Sequence, residues 1–385
     1  MNFELDDEQQ FIQQTVRDFA RKEIAPRAKQ IDETGEFPHD IFEKMADLGL
    51  LGLPFPEDYG GAGADTVSVA IATEEIAWAC GSTALAYAAH IGLGSMPIYL
   101  FGSEEQKQKY LVPAATGEYL AAFGLTEPQA GSDAGATRTR AELDGDEWVI
   151  NGEKMWITNA PIAGHIIVTA VTDKERGKRG ISSIIVPRGT HGLSFGKHEH
   201  KMGLHGSLST AVFLENVRVP RENLLGERGR GFEQFLQILD GGRITIGAMA
   251  IGLAQAAMEV AVRYAREREA FGRPIGAYQS VANMIADMAV GLEASRLLVY
   301  KAAVLKDSGQ PFSEMAAIAK LYATEASEKI CRDAIQVLGG YGYSSEFPVE
   351  RYYRDTRLLT IGEGTSEIQR MVIARHELGE WAAQL

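Results

Sequence analysis

The sequence has few of the residues that disulfide-rich, zinc-binding and nucleic-acid-binding proteins need. Its 385 residues include only two cysteines, Cys80 and Cys331, which are too few for a disulfide framework or a cysteine-based zinc site. Basic residues are also scarce, with 38 Lys and Arg against 52 Asp and Glu and a net charge of −14. Because nucleic-acid binding needs a basic face that neutralises phosphates, we expect no nucleic-acid partner. The low cysteine content favours a reducing, intracellular compartment.

Targeting and membrane signals are missing as well. Residues 1–10 are acidic and lack the basic and apolar regions of a signal peptide. The most apolar stretch, residues 244–262, is rich in small residues and is interrupted by Gln255 and Glu259, which favours a buried helix over a membrane span. The glycines of residues 226–231 do not follow a strand and open a helix in the way that a Rossmann fingerprint requires. We therefore expect a cytoplasmic protein that does not bind membranes.

The sequence does contain three blocks of different periodicity. Residues 1–120 carry apolar positions at helical spacing and alanine-rich runs, which predict an α-helical domain. Residues 121–225 consist of short segments rich in β-branched and aromatic residues, which predict an antiparallel β domain. Residues 226–385 return to the helical period. Blocks of helix, strand and helix indicate separate domains rather than alternating βαβ units.

Turn signals divide the middle block into strands. Asp144-Gly145 is a strong hairpin turn, and Asn151-Gly152 is a second candidate. The second turn would separate a strand over residues 148–151 from another over residues 155–158. His198-Glu199-His200, in the same block, lacks a third partner, so we interpret it as a polar loop and expect no metal site.

Near the C-terminus, Glu363 lies between Gly362 and Gly364 and just ahead of a helical pattern that Thr365 or Ser366 can cap. Flanking glycines allow unusual backbone conformations and a close approach to a ligand, which suits a general base. The alternative is an acidic residue that only complements a helix dipole.

Two segments of the middle block can bind a flat, polar ring. Residues 123–133 offer hydroxyls and backbone N–H groups next to apolar side chains, although the segment can also be a simple interdomain loop. In residues 154–159, Trp156 and Thr158 are two apart on a predicted strand and should share a face. A tryptophan buried in the β-domain core is the alternative there.

Two segments of the C-terminal block can bind anions, and a third has a glycine-rich helix end. Asp240 and Arg243 can share one helix face and meet a phosphate or amide, or they can form an ordinary surface pair. Residues 266–279 break a helix at a cluster of cations next to Phe271, which can hold a pyrophosphate or simply be solvated. Residues 336–342 end another helix in glycines, as a C-cap also would.

Ile361-Gly-Glu-Gly-Thr-Ser-Glu-Ile-Gln-Arg370 resembles the C-terminal signature of the flavin-dependent acyl-CoA dehydrogenases, and the other segments match that family in order. The resemblance implies an α+β multidomain fold with an N-terminal α-helical domain, a middle antiparallel β-barrel or sandwich, and a C-terminal four-helix bundle. It also implies FAD as cofactor and dehydrogenation of an acyl-CoA to a trans-2-enoyl-CoA. Glu363 would remove the α-proton while the β-hydrogen leaves as hydride to flavin N5.

The resemblance assigns roles to individual residues. It places the flavin of FAD beside one group of side chains, which comprises Phe123, Leu125, Thr126, Ser132, Trp156, Thr158, Thr365 and Glu367. It places the adenine dinucleotide of a neighbouring subunit beside another group, which comprises Arg268, Phe271, Gln279, Gln336, Gly339 and Gly340. It assigns the acyl-CoA to Ser132, Asp240, Arg243 and Gly364.

The position of Gly242 bears on the choice of base. Some branches of the family carry the catalytic glutamate at the position that matches Gly242, and a glycine cannot act as a base, so the resemblance leaves Glu363. The pattern is closest to the short-chain, butyryl branch, with a medium-chain or short branched substrate as alternatives. The family also implies a homotetramer and electron-transferring flavoprotein as electron acceptor. The rival functions are an acyl-CoA oxidase that uses oxygen and a protein of the same fold that has become a nucleic-acid-binding or scaffold module.

Overall fold

The computed structural model describes residues 4–379, and its N-terminal part is helical. The first helix begins with a capping box, in which the Asp6 carboxylate accepts from Gln9 N at 2.8 Å and the Gln9 side chain accepts from Asp6 N at 3.2 Å. The helices of this part are α1 Asp7–Phe19, α2 Ala28–Thr34, α3 His39–Asp47, α4 Thr66–Ala79, α5 Gly81–Ala88, α6 Met96–Phe101, α7 Glu104–Gln106 and α8 Val112–Ala115.

The middle part is one eight-stranded sheet with strand order β6-β7-β3-β2-β4-β5-β8, to which β1 adds by pairing with β4. Asp144-Gly145 forms the predicted hairpin, since Asp144 pairs with Glu147 across it. The sheet is mixed rather than wholly antiparallel, because β1 runs parallel to β4. The strands are β1 Leu120–Gly124, β2 Arg140–Asp144, β3 Glu147–Thr158, β4 Ala163–Val171, β5 Ile181–Pro187, β6 Leu193–Phe195, β7 Ser209–Pro220 and β8 Leu224–Leu225.

The predicted second turn at Asn151-Gly152 is wrong. Strand β3 runs through it without a break, and its register with β7 shifts between Ile150 and Gly152. A β-carbon on Gly152 would overlap the Thr139 side chain, so the glycine permits a bulge in a continuous strand. Sequence signals for a tight turn and for a bulge both consist of a glycine in an extended segment, which explains the error.

The C-terminal part is built around the 37-residue helix α9, which packs against α4, α10 and α11. A helix break was predicted within residues 266–279, and α9 indeed stops at Glu267, after which a short ribbon precedes α10. The elements are α9 Gly231–Glu267, β9 Glu269–Ala270, β10 Arg273–Pro274, α10 Gln279–Asp307, α11 Ser313–Leu338, α12 Val349–Arg357 and α13 Ser366–Leu378. The predicted order of a helical, a sheet and a helical domain is thereby confirmed.

Two helical stretches in residues 4–379, 81–101 and 231–267, are long and apolar enough to cross a membrane. Most residues of both are buried inside the protein, and buried core helices commonly meet the same criteria. They are therefore weak evidence for a membrane span, and the cytoplasmic location stays a prediction.

Polar contacts join the three parts. Arg296 on α10 pairs with Glu74 on α4 at 2.8 Å. The Asn159 amide at the end of β3 donates to Ala86 O on α5 at 2.8 Å. Leu204 N, in the loop before β7, donates to the Asp355 carboxylate on α12 at 2.6 Å. These contacts fix the sheet and both helical parts against one another, so segments from all three parts can share a site.

Candidate active site

Glu363 lies on the turn between the 3₁₀ segment Leu358–Thr360 and α13. Its backbone is left-handed, with φ of 51°, and Gly364 follows with φ of 87°. Thr365 caps α13, because its hydroxyl accepts from Ile368 N at 3.3 Å. No group among residues 4–379 accepts a hydrogen bond from the Glu363 backbone N–H. The turn thus presents both a carboxylate and a free N–H.

Only one of the two flanking glycines uses its conformational freedom. Gly364 has a φ that disfavours other residues, whereas Gly362 does not. A β-carbon on Gly362 would meet nothing closer than Leu358 O at 3.7 Å. The interpretation of a turn hinged by both glycines therefore holds for Gly364 alone.

The Glu363 carboxylate lies against Gly242 of α9. A β-carbon at position 242 would overlap Glu363 Oε2, so the glycine leaves the space that the carboxylate fills. Positions 242 and 363, far apart in the sequence, therefore meet at one point. Although the residue as a whole is only partly buried, Oε2 is enclosed and has no hydrogen-bond partner within residues 4–379. Such an unpartnered atom in a native protein suggests a catalytic or ligand-binding role.

Burial raises the pKa of the Glu363 carboxyl to about 7, and the neighbouring cations Lys320 and Arg243 only partly oppose that rise. A carboxylate with a pKa near the working pH is a more effective general base than an ordinary glutamate, since it is both ionised and basic. The electrostatics therefore favour proton abstraction by Glu363.

Asp240 and Arg243 pair with each other on α9, as their spacing predicted. The pair is not the solvated alternative, because the Arg243 side chain is buried and burial lowers its pKa. Arg243 Nε has no hydrogen-bond partner in the described part of the chain, and neither have Ser366 Oγ and Gln369 Oε1 near Glu363. A pocket with several unmet polar groups suits a polar ligand.

The two candidate ring-binding segments of the β domain lie side by side. Met155 N donates to Thr126 O at 2.8 Å, which brings the loop after β1 next to Trp156. Trp156 is 55% exposed, so the core-tryptophan alternative is wrong for it, and Trp148 fills that core role instead. Regular alternation also fails here, because Trp156 has φ of 63° and the β3–β7 register shifts between Lys154 and Ile157.

A buried ion pair that the sequence interpretation missed holds these two segments together. Lys154 and Glu127 are both buried, and their charged groups are 2.7 Å apart. Lys154 Nζ also donates to Leu125 O at 3.2 Å and to the Thr169 hydroxyl at 3.1 Å. The sequence did offer one indication of this pair, because Glu127 and Lys154 each belong to one of the two candidate ring-binding segments.

The other residues that were predicted to contact the flavin are partly buried or exposed. Phe123 is a partly buried member of β1 that packs against the main core, and Leu125, Thr126 and Thr158 are partly buried. Ser132 is exposed on the loop after β1, and Glu367 is exposed in the first turn of α13.

The candidate dinucleotide residues form a second group at the far end of α9. The Arg268 guanidinium lies 6.0 Å from the ring of Tyr341, which follows Gly339 and Gly340 directly. Phe271 is 96% exposed, and Gln279 and Gln336 are exposed too. From Gly242 to the end of α9 is about 38 Å at 1.5 Å per residue. Within one chain, the Arg268 group therefore lies far along α9 from the Glu363 carboxylate.

Metal binding finds no support in residues 4–379, which contain no group of three His, Cys, Asp or Glu side chains able to hold an ion. His198 is engaged instead: Ser209 N donates to its Nδ1 at 3.3 Å, and its Nε2 faces His205 O at 3.2 Å. The polar-loop interpretation of residues 198–200 agrees with these contacts.

Family models match almost the whole chain. The acyl-CoA dehydrogenase N-terminal domain matches residues 6–118, the middle domain residues 122–217, and the C-terminal domain residues 229–378. A probable acyl-CoA dehydrogenase of Bacillus subtilis is 56% identical over 98% of this chain and 100% of its own length. The short-chain specific acyl-CoA dehydrogenase of Clostridium acetobutylicum is 47% identical over 97% of this chain and 99% of its own.

Solved structures agree with these matches. Butyryl-CoA dehydrogenase from Megasphaera elsdenii superposes with a TM-score of 0.96 at 43% identity, covering 98% of this chain and 100% of the other. A chain solved in a study of the electron transferring flavoprotein of Acidaminococcus fermentans has a TM-score of 0.97 at 45% identity, and the match covers 99% of this chain and 100% of the other. A Bacillus anthracis acyl-CoA dehydrogenase complexed with FAD has a TM-score of 0.93 at 36% identity, and the match covers 99% of this chain and 68% of the other. The sequence and the fold thus both match acyl-CoA dehydrogenases along almost the whole chain, which includes the turn that carries the enclosed Glu363 carboxylate. The chain belongs to the acyl-CoA dehydrogenase family of oxidoreductases.

Proposed function

We propose that this acyl-CoA dehydrogenase uses FAD to convert a short- to medium-chain acyl-CoA to the trans-2-enoyl-CoA, with Glu363 as the base. One observation carries the proposal: the Glu363 carboxylate is enclosed against Gly242, has no hydrogen-bond partner within residues 4–379, and has a pKa of about 7. A group in that state is ready to accept a proton from a bound substrate.

The α-proton of a thioester is weakly acidic, so its removal needs both a base and stabilisation of the carbonyl oxygen. The Glu363 carboxylate takes the proton, and the free backbone N–H of the same residue donates to the thioester oxygen. One donor of this kind contributes about 3 kcal/mol to the transition state. FAD, when bound, supplies the acceptor for the β-hydrogen, which leaves as hydride to N5.

The residues that would hold FAD fit such a group. Trp156 offers an exposed aromatic face next to Thr126 and Thr158, to which a planar ring can bind. Arg268 and the exposed Phe271 at the other end of α9 suit a pyrophosphate and an adenine. Arg268 follows the end of α9, about 38 Å along the helix from Gly242 and the Glu363 carboxylate. We therefore propose that the second group serves the FAD of a neighbouring subunit in a homotetramer.

Arg243 and Asp240 would anchor the CoA portion, with Ser132 and Gly364 as further contacts. Arg243 is a buried cation with one nitrogen unpaired, which suits a phosphate or carbonyl of the substrate. The short-chain and butyryl-CoA specific relatives support a short acyl chain. Electron-transferring flavoprotein is the proposed electron acceptor, and the similarity to the Acidaminococcus fermentans chain supports it.

An anaerobic titration of the purified protein with butyryl-, octanoyl-, palmitoyl- and isobutyryl-CoA tests the proposal. We expect flavin absorbance to bleach, fastest with butyryl-CoA. A preference for isobutyryl-CoA would instead indicate a branched-chain enzyme, and peroxide formed in aerobic turnover would indicate an oxidase. A protein with bound flavin that none of the four substrates bleaches would overturn the proposed function.

Glu363→Gln tests the assignment of the base. The variant should retain FAD, while bleaching slows by roughly 10²- to 10⁴-fold, because proton abstraction is lost. Glu377→Gln, at an exposed position of the helix α13 that follows the Glu363 turn, is the matched control and should bleach at the normal rate. Bleaching of the Glu363 variant at the control rate would contradict the assignment.

A further inference from the structure

A second buried charge lies next to the turn that Glu363 and Gly364 form. Lys320, on α11, is fully buried, and its Nζ donates to Gly364 O at 2.7 Å. No carboxylate among residues 4–379 forms a salt bridge with it. Burying an ammonium group without a paired carboxylate lowers the stability of the fold, which suggests that Lys320 has a functional role.

The Gly364 carbonyl is held from two sides. Gln369, a fully buried residue of α13, donates from Nε2 to the same oxygen at 2.9 Å and to Glu363 O at 3.4 Å. Lys320 and Gln369 reach the turn from different helices, and both bind the peptide oxygens of the base and its neighbour. Two side chains therefore converge on one short piece of backbone.

That piece of backbone needs support. Glu363 and Gly364 both have positive φ, and for Glu363 this conformation is disfavoured by its β-carbon. Such conformations persist only where the surrounding structure enforces them. If the turn relaxed, the carboxylate would leave its place against Gly242, and the backbone N–H would turn away from the substrate.

The charge of Lys320 also acts on the base. Burial lowers the pKa of Lys320 to about 8, while the neighbouring Glu363 carboxylate opposes that shift. In turn, the ammonium group partly offsets the rise in pKa that burial imposes on Glu363. The other charged groups that face Lys320 are Arg243, Glu367 and Glu325. Of these, Arg243 is the second cation that acts on Glu363.

We propose that Lys320 is a positioning residue for the dehydrogenation: its ammonium group fixes the Gly364 carbonyl, so that Glu363 keeps its left-handed conformation, and its positive charge stabilises the ionised form of the carboxylate. The inference rests on the proposed function. Gln369 shares the first task and not the second, because its amide is neutral.

Two variants separate the tasks. Lys320→Met removes the hydrogen bond and the charge, whereas Gln369→Leu removes hydrogen bonds to the turn and leaves the charge. The measurements are kcat and KM for butyryl-CoA from pH 5.5 to 9, FAD content, and the thermal unfolding midpoint. Lys329→Met, on the exposed side of the same helix α11, is the matched control.

We expect both variants to lower kcat about tenfold or more and to leave KM near the wild-type value, since Asp240 and Arg243 are unchanged. In Lys320→Met, the acid limb of the kcat profile should also move up by about one pH unit, because a nearby cation is lost. The acid limb of the kcat profile should keep its wild-type position in Gln369→Leu and in Lys329→Met. FAD content and the unfolding midpoint report, independently of turnover, whether the variants are folded.

Two results would overturn the inference. One is a folded, flavin-loaded Lys320→Met protein with wild-type kcat and an unmoved acid limb. The other is a loss of kcat that merely follows a loss of FAD or a lower unfolding midpoint, which would assign Lys320 a structural role only. The wild-type protein is measured in parallel: if it does not oxidise butyryl-CoA or the other acyl-CoAs, the proposed function fails and not this inference alone.

Discussion

Residues 4–379 contain two fully buried lysines, Lys154 in the sheet and Lys320 beside the Glu363 turn, and their surroundings differ in one respect. Lys154 reaches a carboxylate, that of Glu127, at 2.7 Å. Lys320 reaches only a carbonyl oxygen, and the carboxylate of its neighbour Glu363 stays without a hydrogen-bond partner in the described part of the chain.

This difference decides what each carboxylate can do. Burial alone would raise the pKa of Glu127, but the adjacent Lys154 and the hydrogen bonds from Thr137 and Thr139 outweigh it and lower the pKa to about 2. Glu127 therefore remains ionised and anchors the loop after β1 to Lys154 of β3. At Glu363 burial dominates, because the cations are not in contact with the carboxylate, and the pKa rises to about 7. A carboxylate in direct contact with a buried cation thus stays ionised and serves the structure, whereas a buried carboxylate that is separated from its cations has the raised pKa that suits a base.

The largest expected effect comes from breaking the pair in the sheet. Glu127→Gln leaves the Lys154 ammonium buried without a charged partner, which should lower the free energy of unfolding by about 3 to 5 kcal/mol. Urea unfolding measures the change. The double variant Glu127→Gln, Lys154→Met removes both charges and should recover much of the loss, whereas Asp144→Asn, in an exposed pair with Arg218, should cost under about 1 kcal/mol. A double variant no more stable than Glu127→Gln would contradict this account of the pair.

A smaller effect is expected from displacing the unpaired carboxylate. Gly242→Ala puts a methyl group where Glu363 Oε2 lies, so the base should shift and the rate of flavin reduction should fall about 100-fold. Gly241→Ala is the matched control, because it makes the same helix substitution next to nothing closer than Lys306 Nζ at 3.4 Å. Stopped-flow reduction by butyryl-CoA gives both rates. Equal slowing in the two variants would argue against contact at position 242.

The smallest effect concerns pH, and it should separate the two glutamates. Because Glu363 has to be ionised to act, kcat/KM should be about fivefold lower at pH 6 than at pH 7. Glu127 has a folded pKa below its ordinary value of 4.5, so its contribution to stability is present above that value and is lost only as pH falls from about 4.5 towards 2. Activity should therefore fall with acid well before the pair in the sheet weakens. Activity and unfolding free energy that decline together between pH 7 and 6 would contradict this separation.

The fold was predictable from local patterns, and so was much of the site. Helical spacing, β-branched segments and the Asp144-Gly145 turn each depend on a few neighbouring residues, and the corresponding elements are present. Glu363 could be singled out because a glycine-flanked carboxylate ahead of a helix cap is a local feature too. The error at Asn151-Gly152 occurs where a bulge interrupts a regular strand, and the positive φ of Trp156 is a second interruption of the same strand. A local pattern does not distinguish these cases, because the neighbouring strand decides them.

The sequence by itself determined the three blocks, the helix ends and the candidate base with its family. The tertiary structure alone decided that Gly242 makes room for Glu363, that Lys154 meets Glu127, and that Lys320 supports the turn from behind. The reason is physical: secondary structure follows from backbone and side-chain preferences over a few residues, whereas the pKa of a buried group depends on charges that lie within a few ångströms. Those charges come from distant parts of the chain, and only packing brings them together.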